Sequence, residues 1–452
     1  MRSGSPWRAR DFRTLFVATA LSQLGTNVGY VAVPLIAVGA LDASAAQAGL
    51  LGALGTAAFL LIGLPAGAWV DRLHHRRVLI AADLARALLL ASVPLAWWQH
   101  ALTLWQLYAV VLLNGAATVF FDVGSQSALP HLVGREALVR ANAAVVSLIA
   151  LGNVAGRGAG GGLVQVLTAP VALAATGLCY LASAVQLTAL GRSPAASASP
   201  SGSASPSGSA SPSGSAGRPA RLGKQIGEGL RHVLGHRELR ALALTATLAN
   251  LGSQIVNTTL PLLFLRELGL SAGTLGLFWA AGGAGLLLGA RCARPLAARL
   301  GHGRSLALAG LWLSPAGLLV PAVGRGAWLW LAGCGWLLAM FKIGMDNVLG
   351  VSLRQRMTPG PLLGRMNATF RFLLSGALAV GSATAGVIGQ LAGLRVALWV
   401  GGALVATAFL PVLLSPVRRR RALPAQAGEA GEVGPGAGPA PAPVAAGRAG
   451  RG

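Results

Sequence analysis

Among the side chains that carry charge inside long apolar runs, six are candidates for chemistry. Asp83 and Arg86 are three apart, and Lys342 and Asp346 are four apart, so each set can meet on one helix face. Asp122 and Arg157 stand alone. An ionisable residue within a membrane is a functional candidate by default, because it needs a partner, a proton or a bound ion. A second group fills one short gap: Gly67, Asp71, Arg72, Arg76 and Arg77, between apolar runs at 47–70 and 78–98. Charges placed there can pair with neighbouring helix ends and release them, which is conformational work rather than bond chemistry. Bond-making chemistry finds no footing. The lysines, Lys224 and Lys342, sit in no Walker A loop, and no Gly-x-Ser-x-Gly, His-Glu-x-x-His or acidic metal cluster occurs. Cys179, Cys292 and Cys334 lie in or beside apolar runs without metal-ligand spacing, and read as small buried hydrophobes. No cofactor, no metal and no enzymatic activity are expected. A membrane-embedded enzyme is the alternative from another class.

The elements that must hold these residues are transmembrane helices. Of 452 residues, 54% are hydrophobic and 11% charged, too little charge to cover a water-soluble surface of this size. Twelve runs approach or exceed the roughly 20 residues that cross a bilayer core. They fall at 14–40, 47–70, 78–98, 103–127, 142–167, 170–190, 241–265, 272–291, 305–323, 327–351, 367–391 and 394–415. The expected fold is therefore an all-α membrane protein.

The net charge of +24 follows the topology. With the N-terminus inside, outer loops hold only Arg266, Arg325 and Arg395, while Arg86, Arg157, Lys342 and Arg371 fall within spans. That leaves 29 of the 36 Lys and Arg on inner segments. This is the positive-inside pattern; no nucleic acid is needed to explain it, and anionic membrane lipid is the natural neighbour. The expected location is the cell membrane, multi-pass, with both termini cytoplasmic. The apolar run after the basic N-terminus is too long for the core of a signal peptide.

The two halves of the chain repeat. Leu21-x-x-Leu24-Gly25-Thr26-Asn27, leading to Pro34-Leu35, recurs as Leu248-x-x-Leu251-Gly252-Ser253-Gln254, leading to Pro261-Leu262. The same offset lays Arg72-Leu73-x-His75-x-Arg77 on Arg299-Leu300-x-His302-x-Arg304. Gln126-x-x-x-Pro130 is answered by Gln355-x-x-x-Pro359, and Arg140-x-Asn142-Ala143 by Arg365-x-Asn367-Ala368. The chain thus divides into a six-helix bundle at 1–191, a linker at 192–240, a second bundle at 241–416 and a tail at 417–452. The linker opens on Ser-Ala-Ser-Pro-Ser-Gly repeats, a flexible composition, and turns basic and amphipathic at 218–240. Repeated six-span halves are a transporter signature, with substrate bound where the repeats meet.

The gap at 67–77, read as Gly, three residues, Asp-Arg and a basic pair, resembles the loop between helices 2 and 3 of the major facilitator superfamily. Asp11-Phe-Arg, Ala81-Ala-Asp83-Leu-Ala-Arg86-Ala and Phe120-Phe-Asp122 look like the efflux branch that includes enterobactin-type siderophore exporters and macrolide and multidrug exporters. The resemblance implies twelve helices in two pseudo-symmetric bundles that alternate access to a central cavity. It also implies proton-coupled efflux of a small organic molecule such as a drug, antibiotic or siderophore, by a functional monomer. An importer or lysolipid flippase on the same scaffold is the alternative. The charged loop becomes the gate, dominated by its first copy, because Ala298 and Arg294 stand where the repeat would place Asp71 and Gly67. Helices 1, 4 and 7 line the family's cavity, which nominates Thr26, Asn27, Tyr30, Asn114, Gln254 and Asn257.

Many relatives carry an acid on helix 1 where this chain has Thr26 and Asn27, so proton coupling must use another carboxylate. Asp122 is a partner for the gate loop or a protonation site. Asp83 and Arg86 pair with each other or with the loop. Lys342 and Asp346 either neutralise each other or take part in substrate or proton binding. Arg157 stands where such exporters usually have proline, within Gly156-Arg157-Gly158; it faces the cavity, pairs with Asp122 or Asp346, or is simply structural. Gly63-x-x-x-Gly67, Gly152-x-x-x-Gly156 and Gly285-x-x-x-Gly289 permit close helix approach, with Gly376, Gly381, Gly386 and Gly389 on span 11. In the family, spans 2, 5, 8 and 11 form the sliding contact between halves.

Overall fold

The computed structural model describes residues 6–70, 73–133, 135–191 and 220–420. Asp71 and Arg72 of the gap, the Ser/Gly/Pro repeats and the tail from 421 lie outside the described residues. Regular structure among the described residues is entirely helical. Six long helices come first: α1 (Arg10–Gly39), α2 (Ala45–Val70), α3 (His75–Trp98), α4 (Leu104–Leu132), α5 (Arg135–Leu167) and α6 (Ala169–Thr188). An amphipathic α7 (Ala220–Gly235) precedes α8 (Arg237–Leu262), α9 (Ala272–Leu300), α10 (His302–Leu313), α11 (Ala327–Met357), α12 (Leu363–Leu391), α13 (Leu394–Thr407) and the short α14 (Leu410–Leu413).

Local chemistry sets the turns. Ser44 and Gln47 form a reciprocal capping box at the start of α2, with Ser44 N donating to Gln47 Oε1 at 2.8 Å and Gln47 N to Ser44 Oγ at 3.3 Å. Thr103 and Ser271 cap α4 and α9 through their hydroxyls. Gly393, at φ +97°, makes the reversal between α12 and α13 that a side chain would strain.

Among the described residues, eleven helical segments are long and apolar enough to span a membrane, including Leu394–Leu413 and His302–Ala322, where α10 continues as a 3-10 turn. The twelfth crossing is α8, whose 26 residues suffice in length. Its hydropathy is diluted by Thr245, Asn250, Ser253, Gln254, Asn257, Thr258 and Thr259. A polar span is tolerable where it faces protein rather than lipid. The outer surface is apolar, with Leu61, Leu88, Val166 and Leu391 all exposed. Trp98, Trp105, Trp328, Trp330 and Trp399 ring one end, as aromatic residues do at a bilayer boundary. Cys292 and Cys334 are exposed and Cys179 half-buried, which corrects the expectation of buried cysteines: they sit in apolar helices but on outward faces.

The arginine-rich end will be called the basic face and the Trp-ringed end the opposite face. One hydrophobic core at the opposite face draws on both halves, joining Val31, Leu35 and Val164 with Val256, Leu260 and Trp279. At the basic face the halves keep separate cores. One holds Phe12, Leu79, Phe121 and Leu187; the other holds Leu242, Leu349, Phe370 and Val412. The buried apolar cores of the two halves therefore merge at one end and stay separate at the other.

Two glycine crossings make the shared end. A methyl on Gly161 of α5 would stand 2.6 Å from Gly276 Cα of α9, and one on Gly49 of α2 would stand 2.5 Å from Gly386 Cα of α12. The internal repeat lays Gly49 on Gly276 and Gly161 on Gly386, so these are two copies of one contact. Each joins non-equivalent helices, span 5 with 8 and span 2 with 11. Of the expected small-residue motifs, only Gly386 and Gly389 sit on this seam. Gly285 and Gly289 instead admit the α11 backbone, and Gly152 and Gly156 lie against Gln23 and Asn27 of α1. Those motifs tighten each half internally, where a glycine lets backbones approach.

Candidate functional site: charges and aromatics between the halves

Within the first half, Arg86 is sealed among four helices. It pairs with Asp83 one turn back on α3, and both side chains are fully buried. Its Nη2 donates to Ser22 Oγ of α1 at 2.8 Å, and its Cζ lies 4.5 Å from the Phe121 ring of α4 and 4.2 Å from the Tyr180 ring of α6. Tyr180 Oη is hydrogen-bonded to Thr26 Oγ1 at 3.1 Å. The pair is thus mutual, and Thr26 turns toward α6 instead of lining a cavity. Ser22, Phe121 and Tyr180 escaped the sequence reading, because only folding brings α1, α4 and α6 around one arginine.

Arg157 answers to no acid. No carboxylate among the described residues lies within ion-pair distance, which corrects the expected pairing with Asp122 or Asp346. Its Cζ lies 4.2 Å from the Tyr30 ring, and its buried Nε has no hydrogen-bond acceptor. Tyr30 in turn meets Trp279 of the second half edge-on, at 5.3 Å between centroids. Arg157 occupies the turn before the Gly161–Gly276 crossing, its carbonyl 3.0 Å from where a methyl on Gly276 would stand. The aromatic partners left no signature in sequence spacing: Trp279 lies on the other repeat.

Asp122 of α4 is half-buried and lies within electrostatic reach of Arg86 on its own half and Arg371 of α12 on the other. Arg371 reaches across the halves, its Cζ 4.2 Å from the Phe59 ring of α2. Sequence spacing could not find this grouping, since its members lie on three separate helices. Lys342 and Asp346 pair as the four-residue spacing predicts, one turn apart on α11 and largely buried.

The remaining polar residues divide. Asn27 is buried against the α5 glycines, its amide donating to Gln23 O at 2.9 Å, so it packs rather than lines. Gln254 Nε2 donates to Ser382 Oγ of α12 at 2.9 Å, beside Thr258, and a methyl on Gly52 of α2 would meet that Ser382 Oγ at 2.8 Å. Gln254 therefore stands at the α2–α12 seam. Asn114 and Asn257 are half-buried, each with a carbonyl oxygen that finds no partner. Tyr30 lies between the halves as expected.

In the charged gap, Gly67 lies in the last turn of α2. Arg76 donates to the Leu187 carbonyl at 3.4 Å and to that of Thr188, at the α6 C-terminus, and Arg77 is exposed. Carbonyls left over at a helix end carry its partial negative charge, so they serve as the helix-end partner for this arginine. No group of three His, Cys, Asp or Glu that could hold a metal occurs among the described residues.

Comparison with known proteins places this arrangement. A sequence profile described as the Major Facilitator Superfamily matches residues 15–289 and 242–448. The multidrug efflux pump Tap of Mycolicibacterium fortuitum is 30% identical over 159 residues, which is 34% of this chain and 38% of that protein. The chain thus matches well under half the length of that relative. Among solved structures, a bacterial homologue of the human lysosomal transporter Spinster, in an inward-facing and unoccupied conformation, superposes with a TM-score of 0.68 at 14% identity, covering 92% of this chain and 98% of that one. The nucleoside transporter NupG gives 0.70 at 11% identity, with coverages of 89% and 99%. A bacterial homologue of the iron transporter ferroportin in an inward-facing state gives 0.67 at 17%, with 91% and 99%.

Proposed function

Because the chain belongs to the Major Facilitator Superfamily and is a transporter rather than an enzyme, we propose that it exports a small organic molecule in exchange for protons, by alternating access. The carrying observation is that the halves share one core at the opposite face and keep two at the basic face. With the termini cytoplasmic, as the arginine distribution favours, this is an inward-open carrier ready to load cargo from the cell. Rocking about the paired glycine crossings would reverse the opening.

The cargo class follows from Arg157. Stacking on Tyr30 supplies about 0.5–2 kcal/mol, while a cation at mid-membrane costs about 2.5–3.5 kcal/mol even on the lenient insertion scale. A negatively charged group on the cargo closes that gap. Asp122, between Arg86 and Arg371, is the proton carrier, and Asp71 with its arginines is the gate that closes the basic face. The likeness to a pump named for multidrug efflux supports export of a drug, antibiotic or siderophore. One chain contains both halves of the cleft, so a monomer suffices.

Everted membrane vesicles test direction and coupling together. Export predicts energised uptake of an anionic organic dye, abolished by an uncoupler. An importer or lysolipid flippase on this scaffold would instead show accumulation in right-side-out vesicles, or none that an uncoupler collapses.

A further inference from the structure

Four arginines surround one cavity at the basic face, and no acid among the described residues pairs with them. The cavity, of about 490 Å³, lies between the first turns of α8 and the turn at Pro416–Arg419. Arg237, Arg240, Arg418 and Arg419 line it, together with Leu244 and Leu414. The C-terminal turn is pinned there. Val417 is fully buried, Gly303 N donates to the Arg420 carbonyl at 2.9 Å, and Arg420 Nε donates to both Glu238 carboxylate oxygens at 2.8 and 2.9 Å. Arg420 thus occupies the acid nearest to hand. None of the four lining arginines has a carboxylate within ion-pair distance among the described residues.

Two facts argue that this grouping serves a ligand. Arg237 and Arg240 sit in the first turn of α8, where the helix dipole disfavours cations, so helix stability does not explain them. The fixed turn then brings Arg418 and Arg419 to the same space, where like charges repel unless an anion intervenes. Beyond the arginines the wall becomes apolar and open, with Leu244 44% and Leu414 81% exposed. Leu244 lies one turn deeper into the membrane than Arg240.

We propose that this cavity holds an anionic phospholipid, its phosphate among the four arginines and an acyl chain along Leu244 and Leu414. The lipid would bridge α8, the polar span that carries Gln254 and Asn257, to the C-terminal turn. The site is separate from the cleft between the halves and does not depend on the identity of the cargo.

Native mass spectrometry of the full chain in neutral detergent tests this with dioctanoyl phosphatidylglycerol, dioctanoyl phosphatidylcholine and inorganic phosphate as probes. Wild type should retain phosphatidylglycerol at least tenfold better than phosphatidylcholine. Arg418→Gln and Arg240→Gln should each weaken it about fivefold. Leu244→Gln with Leu414→Gln keeps every charge, and with it the topology; it should weaken lipid retention without creating phosphate binding. Circular dichroism and monodisperse elution would establish that each variant is folded. Equal retention of the two lipids, or a preference unchanged in folded arginine variants, would overturn the proposal. So would phosphate displacing the lipid at equal concentration, which would assign the arginines to a free anion.

Discussion

Arg86 and Arg157 are both cations within the apolar span, and their surroundings assign them opposite work. Arg86 has a carboxylate, a hydroxyl and two aromatic faces around it; its Nε and the second Asp83 oxygen lack partners, but both side chains are sealed from any ligand. Removing one member of such a pair leaves a buried charge, at a cost of about 3–5 kcal/mol, whereas replacing both by apolar residues of similar size is often neutral. Arg86→Met alone should therefore lower the melting temperature and yield of the purified protein, and Asp83→Leu with Arg86→Met should recover most of the loss. If the double variant is as unstable as the single, the pair is not the structural clamp described. Arg157 has one aromatic face and an unfilled donor. A charge-assisted hydrogen bond is worth about 1.5–3 kcal/mol, so Arg157→Ala should reduce transport of anionic cargo tenfold or more. Neutral cargo and melting temperature should change little. An equal loss for both cargo types in a panel of labelled compounds would return Arg157 to a packing role.

At the scale of elements, the glycine crossings are where packing becomes conformational change. The helices must touch backbone to backbone in one state and separate in the other, so the seam has no room for a side chain. Gly161→Ala places a Cβ 2.6 Å from Gly276 Cα and 2.8 Å from the Ala272 carbonyl. Overpacking of this kind costs about 1–3 kcal/mol, and here the cost falls on the closed seam alone. In a background freed of Cys179, Cys292 and Cys334, Val164→Cys reports on the sealed core, where Val164 is 6% exposed. Adding Gly161→Ala should raise its labelling by a membrane-impermeant maleimide severalfold. Unchanged labelling would mean that the crossing is not the closing surface. The helices themselves were legible in the sequence, because a span declares its length in apolar residues, and α8 was placed at 241–265 despite its polar composition. The pairing of helices was less so. Motifs such as Gly285-x-x-x-Gly289 announce a close approach without naming the partner, and that partner proved to be α11 in the same half. Lys342 and Asp346 were readable because one helix carries both. Arg371 over Phe59 was not, since the contact exists only once the halves are set together.

For the whole molecule, under the proposed function, the separate cores at the basic face mark the state in which that face is open. On the proposed reading the gap at 67–77 acts as a gate only when that face closes; here Arg76 rests on the carbonyls at the α6 C-terminus. A gate that is unmade in the resting state contributes nothing to the stability of that state, which separates its mutational signature from that of the Asp83–Arg86 clamp. Asp71→Asn should leave membrane insertion, yield and melting temperature at wild-type levels while abolishing efflux. The variant should still bind cargo from the basic face, because only the return stroke is lost. Dye binding to the purified protein and uptake by everted vesicles, measured on the same preparation, make the distinction. Full uptake in Asp71→Asn would remove the loop from the gate. A fall in melting temperature would mean that Asp71 already holds the open state together, and that the two faces are not closed by separate devices.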